Sequence, residues 1–294
     1  IFKHEQPDVI LAYTIKPVVW GGMASIVTRK ARFYALITGL GYAFQKGGIK
    51  RRALNLIVWF LYKISLLRAT SVIFQNPDNR DFFIDKNIVR TQKCRLVNGS
   101  GVDITKFKLT PLPSGHMVFT CIARLLGEKG LREYAAAARI VKEKHPSVVF
   151  RLVGPEDSSP DGIPLHEVEK WHSDGVIEYC GVAKDVRPFI AACHVYVLPS
   201  YHEGLPRTVI EAMAMGRAII TSDAPGCRET VNHGENGYLV PVGDVKALSK
   251  AMLSFINEPQ KLEIMGNSSR EKAENKYDVH KVNAFMLGEM CING

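Results

Sequence analysis

Short, nearly continuous apolar runs alternate along this chain with longer stretches of helical period, and this alternation narrows the fold more than any other feature. The runs that read as strands are Asp8–Ala12, Phe33–Ile37, Ser71–Phe74, Cys94–Val97, Val118–Ala123, Val149–Val153, Val176–Tyr179, Val195–Leu198 and Ala218–Thr221. Helical patterns fall between them, among them Leu131–Lys144, Asp185–Cys193, Arg207–Met215 and Asp244–Ile256. Strand, helix, strand repetition with apolar strands requires parallel sheets covered by helices on both faces. The pattern breaks at Lys108–Gly115, KLTPLPSG, where prolines and small polar residues replace it. About six βα units follow the break, enough for one doubly wound domain. Fewer precede it, so the first domain reads as incomplete at its N-terminus. The expected division is a partial Rossmann-like domain over 1–112, a complete one over 113–275, and a C-terminal helix over 276–294 packing back toward the first.

Composition excludes several classes. With 46% hydrophobic and 23% charged residues the chain is globular rather than disordered. Its 38 Lys+Arg against 29 Asp+Glu leave a net charge of +9, which favours an anionic partner. No interleaving of aromatic and basic residues marks an RNA-binding face, so no nucleic acid partner is expected. The six cysteines are scattered, with neither a CxxC pair nor zinc spacing, as in a chain from a reducing, cytoplasmic compartment. The most apolar run, 53–67, is interrupted by Lys63 and too short to span a bilayer. It reads as a core helix; the preceding KGGIKRR (46–52) leaves an interfacial helix on an anionic membrane surface as the alternative.

Four segments at strand ends can carry chemistry. The first, SYHEGLPRTVIEAMAMG over 200–216, turns sharply at Glu203-Gly204 and enters a helix with Pro206 as its first residue. Backbone N–H groups of Leu205, Arg207 and Thr208 are then left to bind an anion such as phosphate. Glu203 precedes this helix start and Glu211 leans back toward it, so two carboxylates bracket the anion site. Taken alone, a loop glutamate and a solvated helix position explain the pair at least as well. The second segment, TCIARLLGEKG over 120–130, puts Arg124 at the carboxyl end of a strand and Lys129 before the next helix. A diphosphate between them would compensate both cations; two solvated surface cations fit equally well. The third comprises Arg151–Glu156 and Tyr179–Val182, which bring Gly154 and Val182 to the same carboxyl edge, where a base could stack. The fourth, Asp223–Thr230, holds Glu229 at a helix start, where dipole compensation suffices to explain it. Asn98–Asp103 is a turn-rich hinge candidate. No DxD, GxxxxGK[ST], GxSxG or HExxH is present, so no metal and no cofactor are expected.

Together these segments resemble the retaining GT-B glycosyltransferases of family 4. EGLPRTVIEAMAMGRAIITSDAPGCRE is similar to the family's E-x7-E signature and downstream turn, RLLGEKG to its donor-diphosphate motif, and NGSGVDITKF to its domain junction. FQNPDNRDFF, LVGPED and DVRPFI look most like the branch that extends polyprenyl-diphosphate-linked sugars in capsule, O-antigen or glycoprotein assembly. The resemblance implies α/β GT-B architecture, with two Rossmann-like domains facing a cleft. It implies retaining, metal-independent transfer from a nucleotide sugar, a UDP-hexose or UDP-N-acetylhexosamine, to a lipid-linked saccharide at the inner face of the cytoplasmic membrane. By position, Glu203 then contacts the donor sugar, Arg124 and Lys129 the diphosphate, and Glu211 the ribose. Gly204, Leu205, Pro206 and Arg207 form the phosphate-binding helix start, with Gly154 and Val182 completing the donor site. Tyr13 or Ala12 stands where many relatives carry a histidine, so no histidine contact to the sugar is carried over. The competing readings are a UDP-sugar 2-epimerase of the same layout and a non-catalytic sugar-nucleotide or membrane-surface module.

Overall fold

A computed structural model of the chain describes residues 2–28, 30–39 and 49–292. It divides into two compact units, Ile1–Ser100 with Val282–Gly294, and Gly101–Lys281.

The first unit starts with the short helix α1 (Phe2–Glu5), followed by β1 (Val9–Tyr13), α2 (Ile15–Thr28), β2 (Arg32–Ile37), α3 (Ile49–Ser65), β3 (Ala69–Phe74), α4 (Pro77–Asp85) and β4 (Cys94–Leu96). The sheet runs β1-β2-β3-β4, all parallel, with β2 meeting β3 in register from Tyr34↔Ser71 to Ile37↔Phe74. The central strands β2 and β3 are mostly buried because helices cover them, while the edge strands β1 and β4 stay partly exposed. Phe33, Val72, Phe74, Tyr62 and Phe83 form one core, with the Phe83 ring edge-on to both Tyr62 and Phe74. Ser65 of α3 donates to the Val19 carbonyl of α2 at 3.0 Å, and Trp59 Nε1 of α3 to the Lys86 carbonyl after α4 at 2.9 Å. Residues Ile73 and Val97 pack instead with Val282.

The second unit runs β5 (Val118–Ile122), α5 (Leu131–Lys144), β6 (Val149–Val153), α6 (Leu165–Ser173), β7 (Glu178–Tyr179), α7 (Arg187–Ala191), β8 (Val195–Leu198), α8 (Arg207–Ala214), β9 (Ala218–Ser222), β10 (Gly237–Val240), α9 (Val245–Asn257) and α10 (Gln260–Lys272). A π-helical turn, Ala273–Tyr277, then leads to α11 (Val279–Glu289), whose residues from Val282 belong to the first unit. The sheet order is β10-β9-β8-β5-β6-β7, all parallel. From β5 the chain winds outward through β6 and β7, returns to β8 on the other side of β5, and winds outward again. The order therefore reverses between β5 and β8, and at such a switch point the two flanking loops diverge and leave a crevice for ligand.

Two features differ from expectation. Strand β10 is absent from the sequence pattern because it opens on Gly237, which has φ +158°; a side chain there would run into the Ile219 carbonyl of β9. What reads as a breaker is a close approach of two strands. The units meet in sequence at Ser100/Gly101, inside the Asn98–Asp103 turn, rather than at Lys108–Gly115. The reason is Arg217, wholly buried, whose guanidinium donates to the carbonyls of Thr110 (3.0 Å), Pro111 (2.9 Å) and Ile190 (2.9 Å). A buried guanidinium satisfied by backbone carbonyls ties that proline-rich stretch to the second unit.

Candidate functional site

The carboxyl ends of β5 and β8 lie side by side, and their loops carry Arg124–Gly130 and Pro199–Pro206. After β5 the chain makes a 3₁₀ turn, Gly127–Lys129, held because the Asp161 carboxylate accepts from the Glu128 N–H at 2.7 Å and the Asp161 carbonyl from the Gly127 N–H at 2.9 Å. Lys129 is thereby carried across to the β8 loop. Its Nζ lies 2.6 Å from Glu203 Oε1, and the two side chains are only 14% and 15% exposed. Ser200 Oγ, wholly buried, donates to the same oxygen at 2.9 Å. The Glu203 N–H is anchored in turn on the Pro225 carbonyl at 2.9 Å.

Helix α8 follows. The structure puts Pro206 at the N-cap, not at the first helical position, with φ −71° and ψ 109°. No side chain caps this start, so its N–H groups keep their capacity for an anion. Gly204 and Pro206 are buried, and Leu205 packs on the core. One and a half turns in, Glu211 is buried too, contrary to a solvated helix position. Burial pushes its carboxyl above the ordinary range, while Arg207, whose Nε donates to Glu211 Oε1 at 2.9 Å, pulls it back.

The other residues flank this centre. Arg124 Nη1 donates to Asp157 Oδ2 at 2.6 Å, and its side chain is 59% exposed. The structure thus joins Lys129 to Glu203 and holds Arg124 on the neighbouring β6 loop. Gly154, φ +153°, lies so close under β5 that a side chain would strike the Ala123 carbonyl. Its own carbonyl accepts from the Tyr179 hydroxyl at 2.9 Å, and Val182 stands exposed beyond. In the first unit Tyr13 ends β1 exposed, followed by Thr14 at φ +66°. Ser200, Asp157 and Asp161 were not singled out from the sequence. Only the β5–β6 register, Ile122↔Val153, reveals that Arg124 and Asp157 leave adjacent strands together.

One doubly wound α/β unit, with a cation–carboxylate pair at its switch point beside an uncapped helix start, and a second parallel-sheet unit are the parts of a GT-B fold. Residues 116–258 match the family model "Glycosyl transferases group 1". The chain is 28% identical over 277 residues to the Campylobacter jejuni N,N'-diacetylbacillosaminyl-diphospho-undecaprenol alpha-1,3-N-acetylgalactosaminyltransferase, covering 90% of this chain and 71% of that one. It is 25% identical over 300 residues to the Escherichia coli UDP-Gal:alpha-D-GlcNAc-diphosphoundecaprenol alpha-1,3-galactosyltransferase, covering 96% and 74%. Anabaena HepE, crystallised with UDP, superposes with a TM-score of 0.83 at 21% identity over 98% of this chain and 80% of that one. Sucrose-phosphate synthase from Thermosynechococcus elongatus gives 0.84 at 22% identity over 99% and 74%. The two superpositions establish the fold. The matched family model and both of these relatives are glycosyltransferases.

Proposed function

We propose that the chain transfers a sugar, with retention, from a UDP-sugar to a hydroxyl of a lipid-linked saccharide. The observation that carries this reading is the Lys129–Glu203 pair at the switch point, beside the uncapped start of α8. Without donor, Glu203 neutralises a lysine that is mostly withdrawn from water. A nucleotide sugar offers each partner a replacement: the diphosphate takes Lys129 and the helix N–H groups, and the sugar hydroxyls donate to Glu203. In this reading Glu211, held by Arg207, takes the ribose hydroxyls, and Arg124 takes the diphosphate once it exchanges Asp157 for phosphate.

As the sugar–phosphate bond breaks, negative charge grows on the leaving diphosphate, where Lys129 and the helix start already point. Such preorganised charge is the largest catalytic term open to a site that neutralises the leaving group with side chains. Retention follows when the acceptor hydroxyl bonds to the anomeric carbon on the face the diphosphate leaves, its proton passing to a phosphate oxygen. The two lysine and arginine cations do the neutralising that a divalent metal would do, so the reaction is metal-independent.

UDP as carrier is supported by the galactosyltransferase relative, named for UDP-Gal, and by the UDP in the HepE structure. A lipid-linked acceptor is supported by both relatives, named for diphospho-undecaprenol saccharides. No described helix is long and apolar enough to cross a membrane. Contact with the acceptor's bilayer is proposed as peripheral from the lipid-linked acceptors for which both relatives are named. The residues expected for it, Lys46, Lys50, Arg51 and Arg52, lie outside the described side chains.

Titration calorimetry with UDP tests the donor site. Removing one charge-assisted contact costs about 1.5–3 kcal/mol, so Lys129→Ala and Arg124→Ala should each bind UDP at least ten-fold more weakly. Parent-like affinity in both variants refutes the assignment.

A further inference from the structure

The first unit carries a groove of about 670 Å³ that the donor site does not use, formed by the end of α3, the end of α4 and the segment leading to β4. It opens at the amino-terminal edge of the sheet, where β3 and β4 begin, away from the strand ends that bear Tyr13. Its floor is apolar: Leu66, Leu67, Ile84, Ile88 and Val89. Every ionisable residue lining it is a cation, namely Lys63, Arg90 and Lys93. Lys93 donates to the Leu67 carbonyl at 3.0 Å; burial and, secondly, the charge of Arg90 lower its pKa. Lys63 sits over the Trp59 ring, 4.7 Å from its centre. The adjoining hollow holds one acid, Asp85, offset by Lys86.

Cations crowded on an apolar floor without a carboxylate leave a site that an anion with an apolar tail would complete. The surroundings say where such an anion comes from. Leu56, Phe60 and Lys63 recur at helical spacing along α3 and Leu67 follows in the turn after it; the three apolar members are 68%, 57% and 63% exposed. This stripe runs straight into the groove. An exposed apolar stripe ending in a cationic pocket matches the layering of a bilayer surface, acyl chains below and phosphates above.

We infer that this groove receives the phosphate headgroup of an anionic phospholipid, with Lys63, Arg90 and Lys93 on the phosphate and the Leu66–Leu67 and Ile84–Val89 walls on the start of the acyl chain. The inference rests on the peripheral-membrane part of the reading above and is independent of the donor site.

Co-sedimentation tests it, using vesicles of phosphatidylcholine with and without phosphatidylglycerol. The parent should bind the anionic vesicles and lose binding as salt rises. Each cation near such a surface is worth about a five-fold change in partitioning, so Lys63→Gln/Arg90→Gln, which leaves the half-buried Lys93 on the Leu67 carbonyl, should bind about 25-fold more weakly. Leu67→Ser should weaken binding while leaving all charges in place. UDP affinity should stay at the parent value in both variants, which separates failure here from failure of the donor-site reading. Equal binding to neutral vesicles, parent-like binding by the double variant, or displacement by millimolar inorganic phosphate as effective as by short-chain phosphatidylglycerol would each overturn the lipid assignment.

Discussion

The Lys129–Glu203 contact allows a quantitative test through a double-mutant cycle. At 2.6 Å, two unit charges attract by about 6 kcal/mol at an effective dielectric of 20, most of it offset by desolvating both groups. Deleting one partner does not return that desolvation cost, because the other charge stays in place. Breaking a buried pair costs about 3–5 kcal/mol; here the lower end applies, since Ser200 Oγ still donates to Glu203 and a little water reaches both side chains. Lys129→Met should therefore destabilise the chain by about 3 kcal/mol. Glu203→Gln should cost about 1–2 kcal/mol, because its amide oxygen still accepts from Lys129. The double variant should be no worse than the milder single one, giving a coupling energy of about 3 kcal/mol. Urea unfolding followed by fluorescence at neutral pH measures all four corners. Additive single effects would show that the two charges do not feel each other in solution, and the proposed exchange of this pair for donor would lose its basis.

Three further outcomes follow from the same geometry. Glu203→Gln should cut kcat with UDP affinity little changed, because the sugar contact matters most as the ring changes shape, whereas Glu211→Gln should weaken UDP binding itself; the reverse split would mean the donor lies the other way along α8. Burial raises the folded pKa of Glu211 above its ordinary 4.5, so the stability it contributes as a neutral acid is present below pH 4.5 and lost as pH rises through the raised value. Glu211→Gln stays neutral throughout, so its Tm advantage over the parent should grow between pH 4 and pH 7, and a difference that is flat with pH would contradict this. Transfer measured in excess EDTA should match transfer without it; loss of activity that Mg²⁺ or Mn²⁺ restores would show that Arg124 and Lys129 do not suffice as counter-charges.

Local period made much of this chain legible. Leu131–Lys144 and Val195–Leu198 fall where the pattern puts them, because an amphipathic helix and a doubly buried strand each write their period into neighbouring residues. The parallel α/β class follows from the same alternation, and the EGLPRTVIEAM segment marks the turn into α8. Pairings between distant segments were not legible, because nothing local encodes which strand ends become neighbours. The return of the chain from β7 to β8 beside β5 is a tertiary event, and it alone brings Lys129 against Glu203 across 74 positions of sequence. The same holds for Asp157 on Arg124, and for Arg217, whose buried guanidinium draws a proline-rich stretch into the second unit. Glu211 shows the limit most plainly. Its place on the helix was evident, but whether that face meets water or the core depends on what packs against it, and the core closes over it.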